Sequence, residues 1–493
     1  MPQPVHETDF EEGHGTSGLG QKIGFVLGLV VAGIMLWMGA PEGLDPKAWK
    51  ALSLLALMII WWVSEAIPVA ATALLPLGML PLLGVLKPVD AAAPYADPII
   101  FLFIGGFMIA AAIEQSGLHR RIAIHVLAAV GSSPAAIVGG FMIATTLLSM
   151  WISNTATALM MTPIALAVCT AAAPAGPDRR KLIAACVLGV AYCASIGGVG
   201  TPIGSPTNLI GAKWLDANGV GLSFPEWMAI GGAIILVMVP LAWLILTKIA
   251  YRLPAHLGDD TAHEVIAAEA RALGPMSQKE ARVMVIFLSV ALAWILREPL
   301  SKLPGLQGLT DMVIAILGAV ALFVVPAGDK ADPNKALLGW DVAERIPWGI
   351  AILFGGGLSM AAALEATGLS TFIGGHMAGI GTLPILLVVL ILVAATVFLS
   401  ELASNVATLT AMLPVLTAMV AGSGGDAFLI GASATFAASF GFMLPIATAA
   451  NAIAYATGAP KQAEMLRIGF ALNLFGVLTI AAAVGLIGPL VTG

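Results

Sequence analysis

Long apolar runs separated by short polar punctuation fill almost the whole chain. Runs of spanning length begin near Ile23, Ala51, Val69, Ile99, Leu182, Trp227, Val283, Met312, Trp348, Ala427 and Ile468. At roughly 20 residues per crossing they predict about eleven transmembrane helices. Two further stretches, residues 133–172 and 383–422, behave differently: each holds two shorter apolar arms around a polar centre, SNTAT and SNVAT. Either two short spans or one re-entrant hairpin fits that pattern, and the working expectation is a hairpin in each. One long polar interior stretch, residues 252–282, divides the chain near its middle. The expected organisation is therefore a tail (1–21), a first transmembrane half (22–251), a cytoplasmic linker (252–282) and a second half (283–493).

Composition sharpens the class. Of 493 residues, 59% are hydrophobic and only 10% charged, with a mean hydropathy of +0.98. A soluble protein could not hide that much apolar surface, so the solvent is largely lipid and the fold is an all-α polytopic membrane protein. No basic tract points to nucleic acid. Cys169, Cys186 and Cys193 lie in apolar surroundings without metal-ligand spacing, which suits small core residues. The N-terminal stretch is polar and acidic, with His6 and His14 but no basic segment ahead of an apolar one. It reads as a disordered cytoplasmic tail rather than a signal peptide. With that end inside, about 16 of the 22 Lys and Arg fall on cytoplasmic ends and about 6 outside, the positive-inside bias of a plasma (inner) membrane protein. Arg120/Arg121, Arg179/Arg180/Lys181 and the linker land inside. The flanks of the second hairpin near Gly381 and Gly424 carry no basic residue.

An internal repeat is legible. LFIGGFMIAAAIEQSGL from Leu102 aligns with LFGGGLSMAAALEATGL from Leu353, with ten of 17 positions identical. The same offset places Ser149 on Ser400, Ser153 on Ser404, Asn154 on Asn405 and Pro163 on Pro414. Under a changed offset the segment around Gly200 aligns with that around Phe442 and pairs Asn208 with Asn451. The copies are an odd number of crossings apart, so they have opposite orientation, a pattern that lets two related halves exchange inward- and outward-facing shapes around a central site.

Each copy contains a polar tip (149–157 and 400–408) and a Gly/Pro-broken span (196–208 and 441–451). Broken backbone at membrane depth leaves peptide groups unpaired, at several kcal/mol each in lipid. It persists where those groups face a cavity and bind something. Freed carbonyls with Ser and Asn oxygens suit Na⁺, and short helix N-termini suit carboxylate oxygens. There is no Lys or Arg between Arg121 and Arg179, Lys181 and Lys213, or Arg345 and Lys461, gaps that cover every candidate element. An anionic substrate would then be balanced by co-bound cations and helix dipoles rather than by a basic side chain.

WWVSEAIPVAATALLP from Trp61, SNT at 153–155, SNV at 404–406, and the GSPTN and ATAAN segments together resemble the divalent anion:sodium symporter family. The resemblance runs from about Ile23 to the C-terminus. It implies a homodimer whose protomers each have a scaffold and an elevator-type transport domain, importing small dianions, C4-dicarboxylates such as succinate foremost, with Na⁺. It also implies a first sodium site of Ser149, Ser153, Asn154 and the Gly204 carbonyl. A second would use Ser400, Asn405 and the carbonyls of Ala403 and Ala447. Substrate carboxylates would lie near Asn154, Thr155, Ser205, Asn405, Val406 and Thr448. Val406 departs from the doubled Ser-Asn-Thr pattern and cannot donate a hydrogen bond. Ala449 and Ala450 replace prolines often found there. An exchanger or proton-coupled carrier of the same architecture, or a citrate or sulfate carrier, remains open on the sequence.

Other polar residues have plainer expectations. Glu65, Glu114, Glu365 and Glu401 are intramembrane ionisables and so functional candidates. Glu114 and Glu365 align across the repeat beside Gly117 and Gly368, where helix-end roles are expected. Trp61, Trp62, Trp214, Trp227, Trp340 and Trp348 fit an aromatic belt. No Gly-x-Ser-x-Gly, His-Glu-x-x-His or paired-aspartate motif lies in a span, which argues against an intramembrane enzyme.

Overall fold

The computed structural model describes residues 19–129, 131, 133–255, 261–329, 332–369, 384–423 and 426–492. The expected tail lies outside them through residue 18, with His6 and His14. Its boundary at 21 shifts, because the first helix already begins at Leu19. Gly381 and Gly424 also lie outside. Among the described residues regular structure is helical, and the β pairing present is an isolated bridge between Pro326 and Ala336.

Eight helices among the described residues are long and apolar enough to cross a membrane: Leu19–Met38, Pro46–Ser64, Pro88–Ser116, Asn154–Ala172, Pro177–Gly198, Phe224–Ala250, Trp348–Ala366 and Gln462–Gly488. Of the other runs read as crossings, three form shorter helices and the fourth carries charge. Prolines 76 and 81 crowd the helical stretch Val69–Leu82. The run at Met312 forms Asp311–Val324, started by the Thr310 hydroxyl accepting from the Val313 N–H. The run at Ala427 stops at Ala438, just before the broken segment. The run at Val283 belongs to Gln278–Ile295, whose opening turns carry Lys279, Glu280 and Arg282.

Burial separates helices that meet lipid from those that do not. The most apolar window of Leu19–Met38 is 11% buried, whereas that of Pro177–Gly198 is 89% buried. The buried helix is rich in Ala, Gly, Cys and Ser, including all of Cys186, Cys193 and Ser195, the small residues that let helices approach closely in a membrane. It packs against Pro134–Ser149 and Asn154–Ala172. Cys169, Cys186 and Cys193 are all buried and free.

Both expected hairpins are pairs of helical arms in contact with each other: Pro134–Ser149 with Asn154–Ala172, and Ile385–Ser400 with Asn405–Ser423. Pro163 and Pro414 sit inside the second arms, at equivalent places. The glycine-rich repeat helices also behave alike. A Cβ on Gly105 would stand 2.8 Å from backbone carbon of Ala315, and one on Gly356 2.3 Å from the Ala73 carbonyl oxygen. Each copy's glycine helix thus lies against a short helix or turn of the other copy. Both helices end on left-handed glycines, Gly117 (φ 81°) and Gly368 (φ 68°), whose N–H groups return to the carbonyls of Glu114 and Glu365. The helix-end expectation for those two glutamates therefore matches the backbone. Glu65 also caps a helix, in the left-handed region at φ 48°.

The stretch 252–282 is more structured than a linker. Its Ala/Glu-rich centre forms the helix Thr261–Ala272, as strong helix formers do. That helix packs on Leu118–Ala128 and Asn154–Ala172. The Arg121 guanidinium pairs with both Glu280 oxygens (2.8 and 3.1 Å) and donates to the carbonyls of Leu273, Gly274 and Pro275.

The aromatic-belt expectation fails for four tryptophans. Trp61, Trp62, Trp214 and Trp227 are 7% exposed or less. Their indole N–H groups are bonded inside the protein, to Phe25 O, Val69 O, Thr417 Oγ1 and Val199 O respectively. An indole needs only one internal acceptor to lose its preference for the interface. Trp340 and Trp348 stay exposed, at 57% and 37%.

Candidate functional site

The two broken spans are built by one device. In the first copy, the helix ending at Gly198 and the helix starting at Pro206 are joined by an irregular segment. Asn208 Nδ2 staples it by donating to Gly198 O (2.7 Å) and Thr201 O (2.8 Å). In the second copy, Asn451 Nδ2 donates to Gly441 O (2.9 Å) and Leu444 O (3.0 Å). The acceptors stand the same number of residues back in each case. The predicted pairing of Asn208 with Asn451 is therefore a pairing of identical work: each amide bonds a carbonyl at the start of the break and a second one inside it, which also accepts from the Gly204 or Ala447 N–H.

Beside each break lies a cluster of oxygens. Ser149 Oγ is 2.7 Å from Asn154 Oδ1 and 2.6 Å from Ala194 O. A hydroxyl has one proton, so it cannot donate to both, and one lone-pair contact is left uncompensated. Gly204 closes the cluster: a Cβ there would stand 2.5 Å from Gly198 O, 3.0 Å from Met150 O and 3.1 Å from Ser149 O. Only glycine lets these carbonyls converge. In the second copy Ser400 Oγ donates to Ala438 O at 2.9 Å, and Asn405 Oδ1 is buried without a hydrogen-bond partner. A Cβ on Gly441 would meet Ser400 O and Ala447 Cβ, both at 3.2 Å. Oxygens gathered with too few protons among them are what a hard cation requires.

Between the clusters lies a cavity of about 870 Å³. Ten of the twelve residues expected at the site line it: Ser153, Asn154, Thr155, Gly204 and Ser205 from one copy, and Ala403, Asn405, Val406, Ala447 and Thr448 from the other. Ser149 and Ser400 sit behind this wall, fully buried. Four helices, Asn154–Ala172, Pro206–Ala217, Asn405–Ser423 and Ala449–Ala456, open at the cavity. Their N-termini carry partial positive charge and free N–H groups.

Several side chains are already engaged. The Ser153 and Ser404 hydroxyls cap their helices, accepting from Ala156 N (3.2 Å) and Ala407 N (3.3 Å). The Thr448 hydroxyl accepts from Asn451 N (3.0 Å). Ser205 Oγ pairs with Thr207 Oγ1 at 2.8 Å, and Thr207 Oγ1 with Ser439 Oγ at 2.8 Å, a hydroxyl chain that joins the copies.

Three features went unread in the sequence. Arg345, with Glu344 and Glu65, borders the cavity, so the expectation that no basic side chain attends the site holds for the tips but not for the whole wall. Its neighbourhood is a long-range contact with no local signature. Trp151, inside the first tip, lines the cavity and stacks on Phe224 with ring centroids 6.1 Å apart; its place between the two aligned serines was the available signal. Thr201 Oγ1 donates to Met150 O at 2.5 Å, tying tip to break.

Comparison with known proteins supplies context. The family described as the sodium:sulfate symporter transmembrane region matches residues 20–492. A sodium-dependent dicarboxylate transporter of Staphylococcus saprophyticus is 36% identical over 488 residues, covering 96% of this chain and 93% of its own. The transporter of the same name from Staphylococcus aureus is 36% identical over 484 residues, covering 96% and 92%. The crystal structure of the Alcanivorax borkumensis YdaH transporter superposes with a TM-score of 0.56 over 95% of this chain and 98% of that one, at 17% identity, a likeness of fold. With its apolar helices, this makes the chain a multi-pass membrane protein.

Proposed function

The chain belongs to the sodium:sulfate symporter family, and from that membership we propose that it imports C4-dicarboxylates such as succinate together with Na⁺. The observation that carries the reading is the cavity itself: two proton-poor oxygen clusters flank it and four helix N-termini open into it. A dianion held there is balanced by cations on either side and by helix dipoles in front. The relatives named sodium-dependent dicarboxylate transporters support the same substrate class and the same ion.

In this reading Ser149, Ser153, Asn154 and the Gly204 carbonyl hold one sodium. Ser400, Asn405 and the carbonyls of Ala403 and Ala447 hold the other. Asn154, Thr155, Ser205, Asn405 and Thr448 face the two carboxylates, and Val406 contributes shape only. Sodium binds first, fixing tips and breaks in the arrangement the dianion needs, so that substrate affinity is coupled to cation occupancy. The halves 22–251 and 283–493 then exchange access, one transport unit sliding on a scaffold within each protomer of a homodimer. The protein sits in the inner (plasma) membrane with its N-terminus in the cytoplasm, and the substrate crosses chemically unchanged.

The test is radiolabelled succinate uptake into proteoliposomes under an inward Na⁺ gradient, with K⁺ replacing Na⁺ as the control. Uptake only with Na⁺, lost in Asn154→Ala and Asn405→Ala, is the expected result. Equal uptake in K⁺, stimulated by internal succinate, would replace the symporter with an exchanger. Sulfate or citrate uptake without succinate uptake would move the substrate assignment.

A further inference from the structure

Glu401 follows Ser400 at the second hairpin tip, where the first copy has Met150. Its residue is 3% exposed, and it turns away from the cavity toward the break. Oε1 accepts from Phe442 N (2.7 Å) and Met443 N (2.8 Å), and Oε2 from Leu444 N (3.0 Å). Asn473, fully buried on the last helix, adds its Nδ2 to Oε1 at 2.7 Å. Four N–H donors thus converge on one carboxylate, three of them successive backbone groups that the helix break would otherwise leave unpaired.

The consequence runs on to the cavity wall. Leu444, held through its N–H by Glu401, accepts through its carbonyl from Asn451 Nδ2 (3.0 Å) and from the N–H of Ala447 (3.2 Å). Ala447 is the residue whose carbonyl is assigned to the second sodium, opposite Ser400 and Asn405 on the tip. Two separate elements must therefore keep a fixed spacing for that cation to find all its oxygens at once. Glu401 joins them directly, being covalently next to Ser400 and hydrogen-bonded to the segment that sets Ala447. Nothing in the first copy corresponds: Met150 offers its backbone carbonyl to Thr201 and carries no side-chain acceptor.

Resting on the symport reading, we infer that Glu401 is the positioning residue of the second cation site. It sets the distance between tip and break, so that sodium binds to a preformed oxygen set, and Asn473 extends that control to the last helix. A glutamine keeps the size but replaces one acceptor oxygen by a donor, which must face one of the backbone N–H groups.

The experiment compares wild type, Glu401→Gln and Asn473→Leu in proteoliposomes. It measures the Na⁺ concentration for half-maximal uptake, succinate KM at saturating Na⁺, and the Na⁺-induced rise in melting temperature of the purified protein without substrate. Expected is an increase of about fivefold or more in half-saturating Na⁺ for Glu401→Gln and about twofold for Asn473→Leu, with succinate KM at saturating Na⁺ within about twofold of wild type. The Na⁺-induced thermal shift falls in the same order. Lower melting temperatures in both variants with unchanged Na⁺ dependence would overturn the inference, leaving Glu401 a purely structural acceptor. If Glu401→Gln does not fold, Asn473→Leu decides by the same readouts. Sodium-independent uptake by the wild type would instead overturn the symport reading, and this inference with it.

Discussion

The two copies of the site share a plan and differ in how they hold it together. In the first, the tip closes on itself: Ser149 reaches Asn154, Thr201 reaches Met150 O, and glycine at 204 lets three carbonyls crowd together. In the second, Asn405 Oδ1 has no partner, Ala447 stands where the first copy has Gly204, the glycine at 441 has more room, and a carboxylate adds charged bonds. A repeat preserves the architecture of a site while leaving the cohesion of each copy free to diverge. Both keep the asparagine staple; to it the first copy adds close packing and further neutral bonds, and the second adds one buried acidic group.

Glycine substitutions break the comparison most sharply. At Gly204 a methyl would lie 2.5 Å from a backbone oxygen, at Gly441 no closer than 3.2 Å. Gly204→Ala should abolish Na⁺-dependent uptake, while Gly441→Ala should retain it within about tenfold, since a 2.5 Å overlap forces backbone apart whereas a 3.2 Å contact needs only a slight shift. Equal losses in the two would refute the asymmetry. Next come the staples: Asn208→Leu and Asn451→Leu each take the amide donor from one buried carbonyl, Gly198 O or Gly441 O, and leave Thr201 O or Leu444 O with its backbone N–H alone, which should lower stability by about 1–3 kcal/mol. Thermal unfolding in detergent checks this, and near-equal shifts are expected because the staples are equivalent. Thr201→Val removes one neutral bond from the first copy and should cost about 1 kcal/mol with a modest rise in half-saturating Na⁺. The smallest effect is expected from Val406→Thr, which adds a hydroxyl to the second tip. It should lower succinate KM by about two- to threefold, and a higher KM would show that this position sets shape alone.

How much of this was legible follows from which interactions leave a trace in the order of residues. The tips did, because Ser-Asn pairs flanked by apolar arms recur at one offset, and so did the asparagine staples. Span lengths did not. The helices at Asp311–Val324 and Ala427–Ala438 have 14 and 12 residues, fewer than the apolar runs that announce them, because hydropathy marks where a run lies and not where its helix stops. The buried tryptophans were misassigned because an indole that finds an internal carbonyl looks in sequence like one that faces headgroups. Glu401 was visible as an anomaly but not as a partner, because its donors are mostly backbone N–H groups, which every sequence contains.

The crosswise packing of the glycine helices bears on how the nascent chain matures. The face of Gly105 rests on Ala315, and Ala73 rests on Gly356, so each contact joins segments synthesised more than about two hundred residues apart. Such distant contacts are entropically late. The first half must therefore wait in the bilayer with its close-approach surfaces uncovered until the second half is inserted. Expressed alone, it would lack its mate and be exposed to quality control. Co-expressed as two fragments cut within residues 256–260, the halves carry between them every surface needed to reassemble.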